Sequence, residues 1–205
     1  MAERTVTITS PDLDGSGTPG PIELAITEAG EGGRPLLLLH GFGGRRHDFE
    51  DHVEDLAGAG WHVVAPDHRG HGDSDDPAGE DAYTIEILAA DALVLADELG
   101  WDRFVLLGHS MGGMVAQVIA LDAPDRLEGL VLMNTSHGPI PMDENLIATA
   151  VAICRTHGID ALADAVAALG PDGPLTTPAH RRVVEERPGY AERAIDTLRA
   201  CSPEM

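Results

Sequence analysis

The residues best able to do chemistry in this chain are gathered in Gly108-His109-Ser110-Met111-Gly112-Gly113, directly after the apolar stretch Phe104-Val105-Leu106-Leu107. A short hydrophobic run that ends in Gly-x-Ser-x-Gly and passes at once into a helical pattern is the sequence form of a sharp strand-to-helix elbow with serine at its tip. So tight a turn strains its central residue and needs small residues two positions to either side, here Gly108 and Gly112. Ser110 then stands clear of the sheet as a nucleophile, and the N–H of Met111 points to where a negatively charged oxygen would form. The plain alternative is a Gly/Ser-rich turn that caps a helix. The strand before it and the helix after it favour the elbow.

The elements that must position this turn alternate along the first half of the chain. Arg4 to Thr9 and Ile22 to Thr27 alternate polar with apolar residues, and the Gly/Pro/Asp-rich segment Pro11 to Pro21 joins them as a hairpin-type loop. Leu36 to Leu39, closed by His40-Gly41, and Trp61 to Ala65, closed by Pro66-Asp67, are continuous apolar runs suited to strands covered on both faces. Helical spacing appears over Asp48 to Ala59, Thr84 to Leu99 and Met111 to Leu121, and a further strand over Leu127 to Asn134. This order predicts an α/β fold, a mainly parallel sheet with helices on both faces. Past Pro141 the pattern turns helical over Glu144 to His157, Ile159 to Leu169, Pro178 to Glu186 and Tyr190 to Cys201. Residues 1–136 are therefore expected to form the core and 137–205 a helical segment attached to it.

Composition narrows the partners. Among 205 residues, 35 acidic side chains face 13 basic ones, all of them Arg, for a formal net charge of -22. Such a surface repels nucleic acid and anionic membrane, and both are set aside as partners. A salt-rich cytoplasm and a GC-biased genome both account for the acidity. Aromatic content of 3% means the core must be built from Leu, Val, Ile and Ala. The opening Met1-Ala2-Glu3-Arg4 leads straight into a polar strand-like segment, and no stretch reaches the ~18 apolar residues of a membrane span. A cytoplasmic protein is expected. Cys154 and Cys201, both in helix-like segments without metal-type spacing, read as reduced and structural, and no metal is implied.

Four ordered segments resemble the α/β-hydrolase superfamily, in its Ser-nucleophile branch of small esterases and lactonases. His40-Gly41-Phe42-Gly43-Gly44 resembles the oxyanion loop after the third strand. Asp67-His68-Arg69-Gly70-His71-Gly72-Asp73-Ser74 resembles the loop after the fourth. The elbow at Ser110 is the third likeness, and Pro124-Asp125-Arg126-Leu127 entering Leu130-Val131-Leu132 the fourth. The resemblance implies Ser110 as nucleophile, the N–H groups of Phe42 and Met111 as oxyanion donors, and Gly41, Gly108 and Gly112 as the glycines that allow close backbone approach. It implies no cofactor, a small acyl compound as substrate, and a cap for residues 137–205. His40 reads as a turn-forming residue, His109 as elbow support, and the 67–74 loop as structural, with Asp67 and Arg69 in local hydrogen bonds. Aspartate in place of Ser110 would imply dehalogenase or epoxide hydrolase chemistry, so those recede, while a C–C hydrolase or a cofactor-free perhydrolase stays open.

The chain departs from the family downstream. The expected order is Ser, then an acid, then His, with the acid after a seventh strand and the His after an eighth. Here the stretch after the sixth strand reads Met133-Asn134-Thr135-Ser136, without a carboxylate, and only His137, His157 and His180 follow the nucleophile. His137 can face the site as a substrate contact or an improvised base. Two explanations compete: a truncated hydrolase that is inactive or nearly so by itself, which is favoured, or a shortened relative that binds without catalysing. Truncation would leave Leu130-Val131-Leu132-Met133 as an apolar, unpaired edge strand.

Overall fold

Four successive leucines make a strand with no polar side, and their alternation shows why. The structure, a computed structural model, describes residues 1–10, 20–138, 143–170 and 178–205, without the side chains of residues 179 and 180. In it the strands β1 (Ala2–Ser10), β2 (Gly20–Ala29), β3 (Arg34–Leu39), β4 (Trp61–Pro66), β5 (Phe104–His109) and β6 (Leu127–Met133) form one sheet in the order β1-β2-β4-β3-β5-β6. On β3, Leu37 and Leu39 join Leu88, Leu95, Val115 and Ile119 on one face. Leu36 and Leu38 join Phe49, Val53, Val63 and Ala65 on the other. Since successive side chains of a strand point to opposite faces, a strand covered on both must be apolar throughout.

The covering helices are α1 (Glu50–Gly58) on one face and α2 (Ile85–Glu98) with α3 (Met111–Asp122) on the other. The pairs β3/β4, β3/β5 and β5/β6 are parallel, while β1/β2 and β2/β4 are antiparallel. The architecture is the α/β one expected. The hairpin reading of Pro11 to Pro21 falls largely on residues 11–19, outside the described residues, but the register that pairs Ser10 with Gly20 is that of a hairpin. The first helix starts later than its sequence pattern suggested, because Arg46–Phe49 winds as a 3-10 turn before α1.

After β6 come α4 (Glu144–His157), α5 (Ile159–Leu169), α6 (Pro178–Glu186) and α7 (Tyr190–Arg199). The last helix is shorter than expected, and Cys201 lies outside it. The chain there leaves the helix to pair with the loop after β4: the Gly72 N–H donates to Ala200 O (3.0 Å), and the Ser202 N–H donates to Gly70 O (2.7 Å). Residue 201 thus bridges residue 71 in antiparallel fashion. Neither cysteine is in a disulfide. Farther out, Arg155 of α4 grips Glu80 with bonds of 2.7 and 2.6 Å. β6 stands at the sheet edge, and Leu130, Val131, Leu132 and Met133 are 39–45% exposed, as the apolar edge reading anticipated. No described helix is long and apolar enough to cross a membrane.

The 67–74 loop is tied to the core by charge. Arg69 makes two 2.6 Å bonds to the Asp91 carboxylate on α2 and one of 3.2 Å to Ala82 O, with both side chains buried. Burial pushes the Asp91 carboxyl up from its ordinary range, and the Arg69 guanidinium pulls it back. Arg69→Met leaves a buried carboxylate unpaired and should cost about 3–5 kcal/mol in urea unfolding, with Arg69→Met/Asp91→Leu recovering part of the loss. A single variant within 1 kcal/mol of the parent would show that the pair does not hold the loop.

Candidate active site

Ser110 occupies the single residue between β5 and α3, with φ +52° and ψ −115°. A non-glycine residue at positive φ is costly unless its surroundings fix it. Here they do. The Ser110 N–H donates to Met133 O (3.0 Å), and its carbonyl accepts from the Thr135 hydroxyl (2.7 Å) and the Gly113 N–H (2.9 Å). The strand β6 and the loop after it therefore hold the elbow from one side.

Glycine holds it from the other. A Cβ added at Gly108 would lie 2.2 Å from Gly112 O, and one at Gly112 would lie 2.3 Å from Leu39 O and 2.6 Å from His40 O. One added at Gly41 would lie 3.0 Å from the Ser110 Cβ. The loop after β3 thus passes directly against the serine, as parallel neighbours β3 and β5 require when both end at the same edge. Gly113 is equally constrained, since its Cβ would meet the Thr135 side chain at 2.5 Å. The Gly-x-Ser-x-Gly pattern points to the first two glycines. Gly113 and Thr135 carry no pattern of their own.

Of the residues singled out in the sequence, Ser110, Met111, Phe42, Gly41, Gly108 and Gly112 come together here. Met111 is buried at the first turn of α3, and Phe42 is half exposed on the loop. Neither N–H has a hydrogen-bond partner among the described residues. Backbone donors fixed in this way stabilise an oxygen that gains charge. His137 is not gathered in: it is exposed, and among the described residues no histidine nitrogen bonds the Ser110 hydroxyl. The side chain of His180 lies outside the described residues.

His40 sets the direction of one donor. It is fully buried, its Nδ1–H donates to Gly41 O (2.8 Å), and its Nε2 accepts from the His68 N–H (3.0 Å). In a trans peptide the C=O and N–H point opposite ways, so drawing the Gly41 carbonyl inward turns the Phe42 N–H outward. The turn-forming reading of His40 matches this geometry. Asp67, fully buried, accepts from the Asp73 N–H (3.0 Å) within its own loop, as expected, but also from the N–H (2.5 Å) and guanidinium of Arg46 on the loop after β3. Arg69 bonds Asp91 on α2 instead of its own loop, because burial of these charges calls for partners on packed neighbours.

Three histidines of these loops, His40, His68 and His71, pack with ring centroids 4.5–6.2 Å apart. Sequence reading missed this cluster. The signal was available, because β3 and β4 are parallel neighbours and their following loops share one edge of the sheet. No group of three His, Cys, Asp or Glu with metal-holding geometry occurs among the described residues.

A model of the alpha/beta hydrolase fold family matches residues 34–157, more than half of the chain. The chain belongs to the alpha/beta hydrolase fold family. Epoxide hydrolase 4 of Mus musculus is 40% identical over 110 residues, covering 53% of this chain and 30% of that protein. The enol-lactonase from Burkholderia xenovorans LB400 superposes with TM-score 0.75 at 31% identity, covering 89% of this chain and 66% of that one. A thermophilic esterase from Thermogutta terrifontis gives 0.76 at 30% identity, covering 98% of this chain and 68% of that one. This alpha/beta hydrolase chain spans about a third of the length of the curated relatives it matches.

Burial holds all three clustered histidines below the ordinary imidazole value: His40 well below it, His68 at about 3, and His71 lowered as well. Unfolding frees these rings to bind protons below about pH 6.5, whereas in the folded chain burial disfavours the proton. For His68, stability must therefore rise with pH between about 3 and 6.5 and decline as pH drops through that range, by up to about 1.4 kcal/mol per pH unit, and His40 and His71 act in the same direction. Thermal melts between pH 7 and 5 should show this decline, and His68→Leu should remove about one proton of uptake on unfolding. An unchanged uptake in that variant would contradict the assignment.

Proposed function

We propose that this chain carries the nucleophile and oxyanion donors of a serine hydrolase acting on small carboxylic esters, lactones or similar acyl compounds. The observation that carries the reading is Ser110 itself, a serine at φ +52° on a glycine-walled elbow with two unengaged N–H groups nearby. In the reaction, Ser110 Oγ attacks the carbonyl carbon while the Phe42 and Met111 N–H groups hold the resulting oxyanion. The alkoxide departs with a proton, and water then hydrolyses the Ser110 ester to release the acid.

The chemistry of the nucleophile separates this reading from the activity named for the epoxide hydrolase relatives. A carboxylate that opens an epoxide forms an ester, which water can cleave at its carbonyl. A serine oxygen that opens an epoxide forms an alkyl ether. That product has no carbonyl for water to attack and ends the cycle. The serine thus favours acyl substrates, in line with the activities named for the enol-lactonase and the esterase.

In the same reading residues 137–205 serve as a cap over the substrate, no cofactor takes part, and the setting is cytoplasmic. Nucleic acid and anionic membrane are disfavoured by the net charge of -22. A second reading, a non-catalytic binding or interaction module, draws on one observation: no described histidine reaches the Ser110 hydroxyl. Where no base reaches it, the hydroxyl stays protonated near neutral pH, and only a residual rate from the oxyanion donors is expected.

Added imidazole can stand in for the base. Hydrolysis of p-nitrophenyl acetate and of a simple γ-lactone should rise with imidazole beyond its effect on Ser110→Ala, which should stay at the background rate. Styrene oxide should not turn over. Equal rates for the parent chain and Ser110→Ala at every imidazole concentration would favour the binding module, and Ser110-dependent epoxide turnover would overturn the acyl reading.

A further inference from the structure

The oxyanion loop has two successive peptides to hold, and His40 accounts for only the first. The second, between Phe42 and Gly43, directs its N–H to Nε2 of His71 at 3.3 Å, with Gly43 at φ +69°. His71 comes from the loop after β4 and is almost completely buried. Its Nδ1 faces Arg69 O at 3.3 Å, so the ring proton belongs on Nδ1 and the Nε2 lone pair is free to accept. The His71 N–H donates to His68 O (3.0 Å), and the 200–202 strand bridges residue 71 from the other side. The ring is seated by backbone from two directions and spends its one acceptor on the oxyanion loop.

We propose that His71 is a positioning residue whose neutral ring, by accepting the Gly43 N–H, holds the loop so that the Phe42 N–H faces Ser110, and that it does so only while unprotonated. The proposal rests on the reading of Ser110 as nucleophile and Phe42 as oxyanion donor. Its physical basis is that a carbonyl and the next N–H move as one plane. His40 on Gly41 O sets the plane that carries the Phe42 N–H, and His71 on the Gly43 N–H holds the next plane, so the loop cannot turn about the Phe42 Cα and swing that N–H away from Ser110. A proton on Nε2 would place two N–H donors head to head, and the loop would have to shift.

The groups that face His71 set how readily this happens. The rings of His40 and Phe42 lie at centroid distances of 4.9 and 6.0 Å, and that of His68 at 6.2 Å. The Asp67 carboxylate favours the protonated ring, but it is already engaged by Arg46 and Asp73. Burial acts the other way and prevails, holding His71 below the ordinary imidazole value. On the strap, the Cys201 thiol faces the same Gly43 N–H as a second, weaker acceptor, and burial pushes it up to about 12, so it is neutral and adds no charge to the cluster.

Two variants separate positioning from packing. His71→Leu keeps bulk without an acceptor, and His71→Gln supplies an acceptor that does not titrate. Amide exchange of Gly43 in the 15N-labelled full chain should speed up about tenfold or more in the Leu variant and stay near the parent rate in the Gln variant. Leu106 of β5 serves as the folded control. In the parent, Gly43 protection relative to Leu106 should fall as pH drops through the titration of His71, and in the Gln variant it should not. Where Ser110-dependent ester turnover is present, the Leu variant should lower kcat about tenfold at unchanged KM, with rescue by Gln.

Parent-like Gly43 exchange in a folded Leu variant would overturn the proposal. So would a Gln variant as damaged as Leu. Should the Leu variant fail to fold, pH-dependent Gly43 protection in the parent against a flat profile in Gln supports the proposal, and identical profiles overturn it. Gly43 exchange reads the brace at any level of activity, so absent Ser110-dependent turnover would count against the serine hydrolase reading alone.

Discussion

The contact between the Gly112 backbone and the carbonyls of Leu39 and His40 is the constraint on which the rest of the site depends. A side chain at position 112 would drive a carbon to within 2.3 Å of Leu39 O. Only glycine lets α3 start this close to β3, and only that approach brings the loop of Gly41 and Phe42 beside Ser110. Ser110 and the backbone N–H groups of Phe42 and Met111 are thus placed by one backbone-to-backbone fit. The positive φ of Ser110 follows from it, because the chain must reverse within a single residue between β5 and α3. The strain is held by bonds from Met133 and Thr135 on the far side.

Around this fit the protein surrounds the loops at one sheet edge with buried polar groups, each given a defined partner. Arg69 takes Asp91, Arg46 takes Asp67, and His40 takes a carbonyl and an N–H. Buried groups of this kind cost desolvation and return it only when fully bonded, so the network fixes one arrangement at the expense of tolerance to acid. The edge that must be exact is therefore also sensitive to pH. The helices after β6 lie at the other extreme. Apart from the strap at 200–202, α4 and the residue that follows α6 make exposed pairs with the preceding fold, Arg155 with Glu80 and Arg187 with Asp51, which contribute little each.

How much of this was legible in the sequence depended on whether a feature is local. The apolar runs at Leu36 and Trp61 read as buried strands because covering on both faces leaves its mark on every residue. The elbow read clearly because its strain demands glycine at fixed offsets from Ser110. The end of α7 was misplaced, since Ala200 to Ser202 leave the helix for a pairing with residues 70–72, more than a hundred positions away. The histidine cluster was missed for the same reason: its members are neighbours only once β3 and β4 pair side by side. Thr135 was invisible, because a threonine after a strand carries no signal until its hydroxyl is seen on the Ser110 carbonyl.

The central claim is that Ser110 is set as a nucleophile beside oxyanion donors, and covalent trapping tests it most directly. The folded chain is incubated with a fluorophosphonate, and the adduct is followed by intact mass and located by peptide mass spectrometry. A single adduct on Ser110, formed faster than on the unfolded chain and absent from Ser110→Ala, is the expected result. No adduct on Ser110, or labelling there no faster than on the unfolded chain, would contradict it.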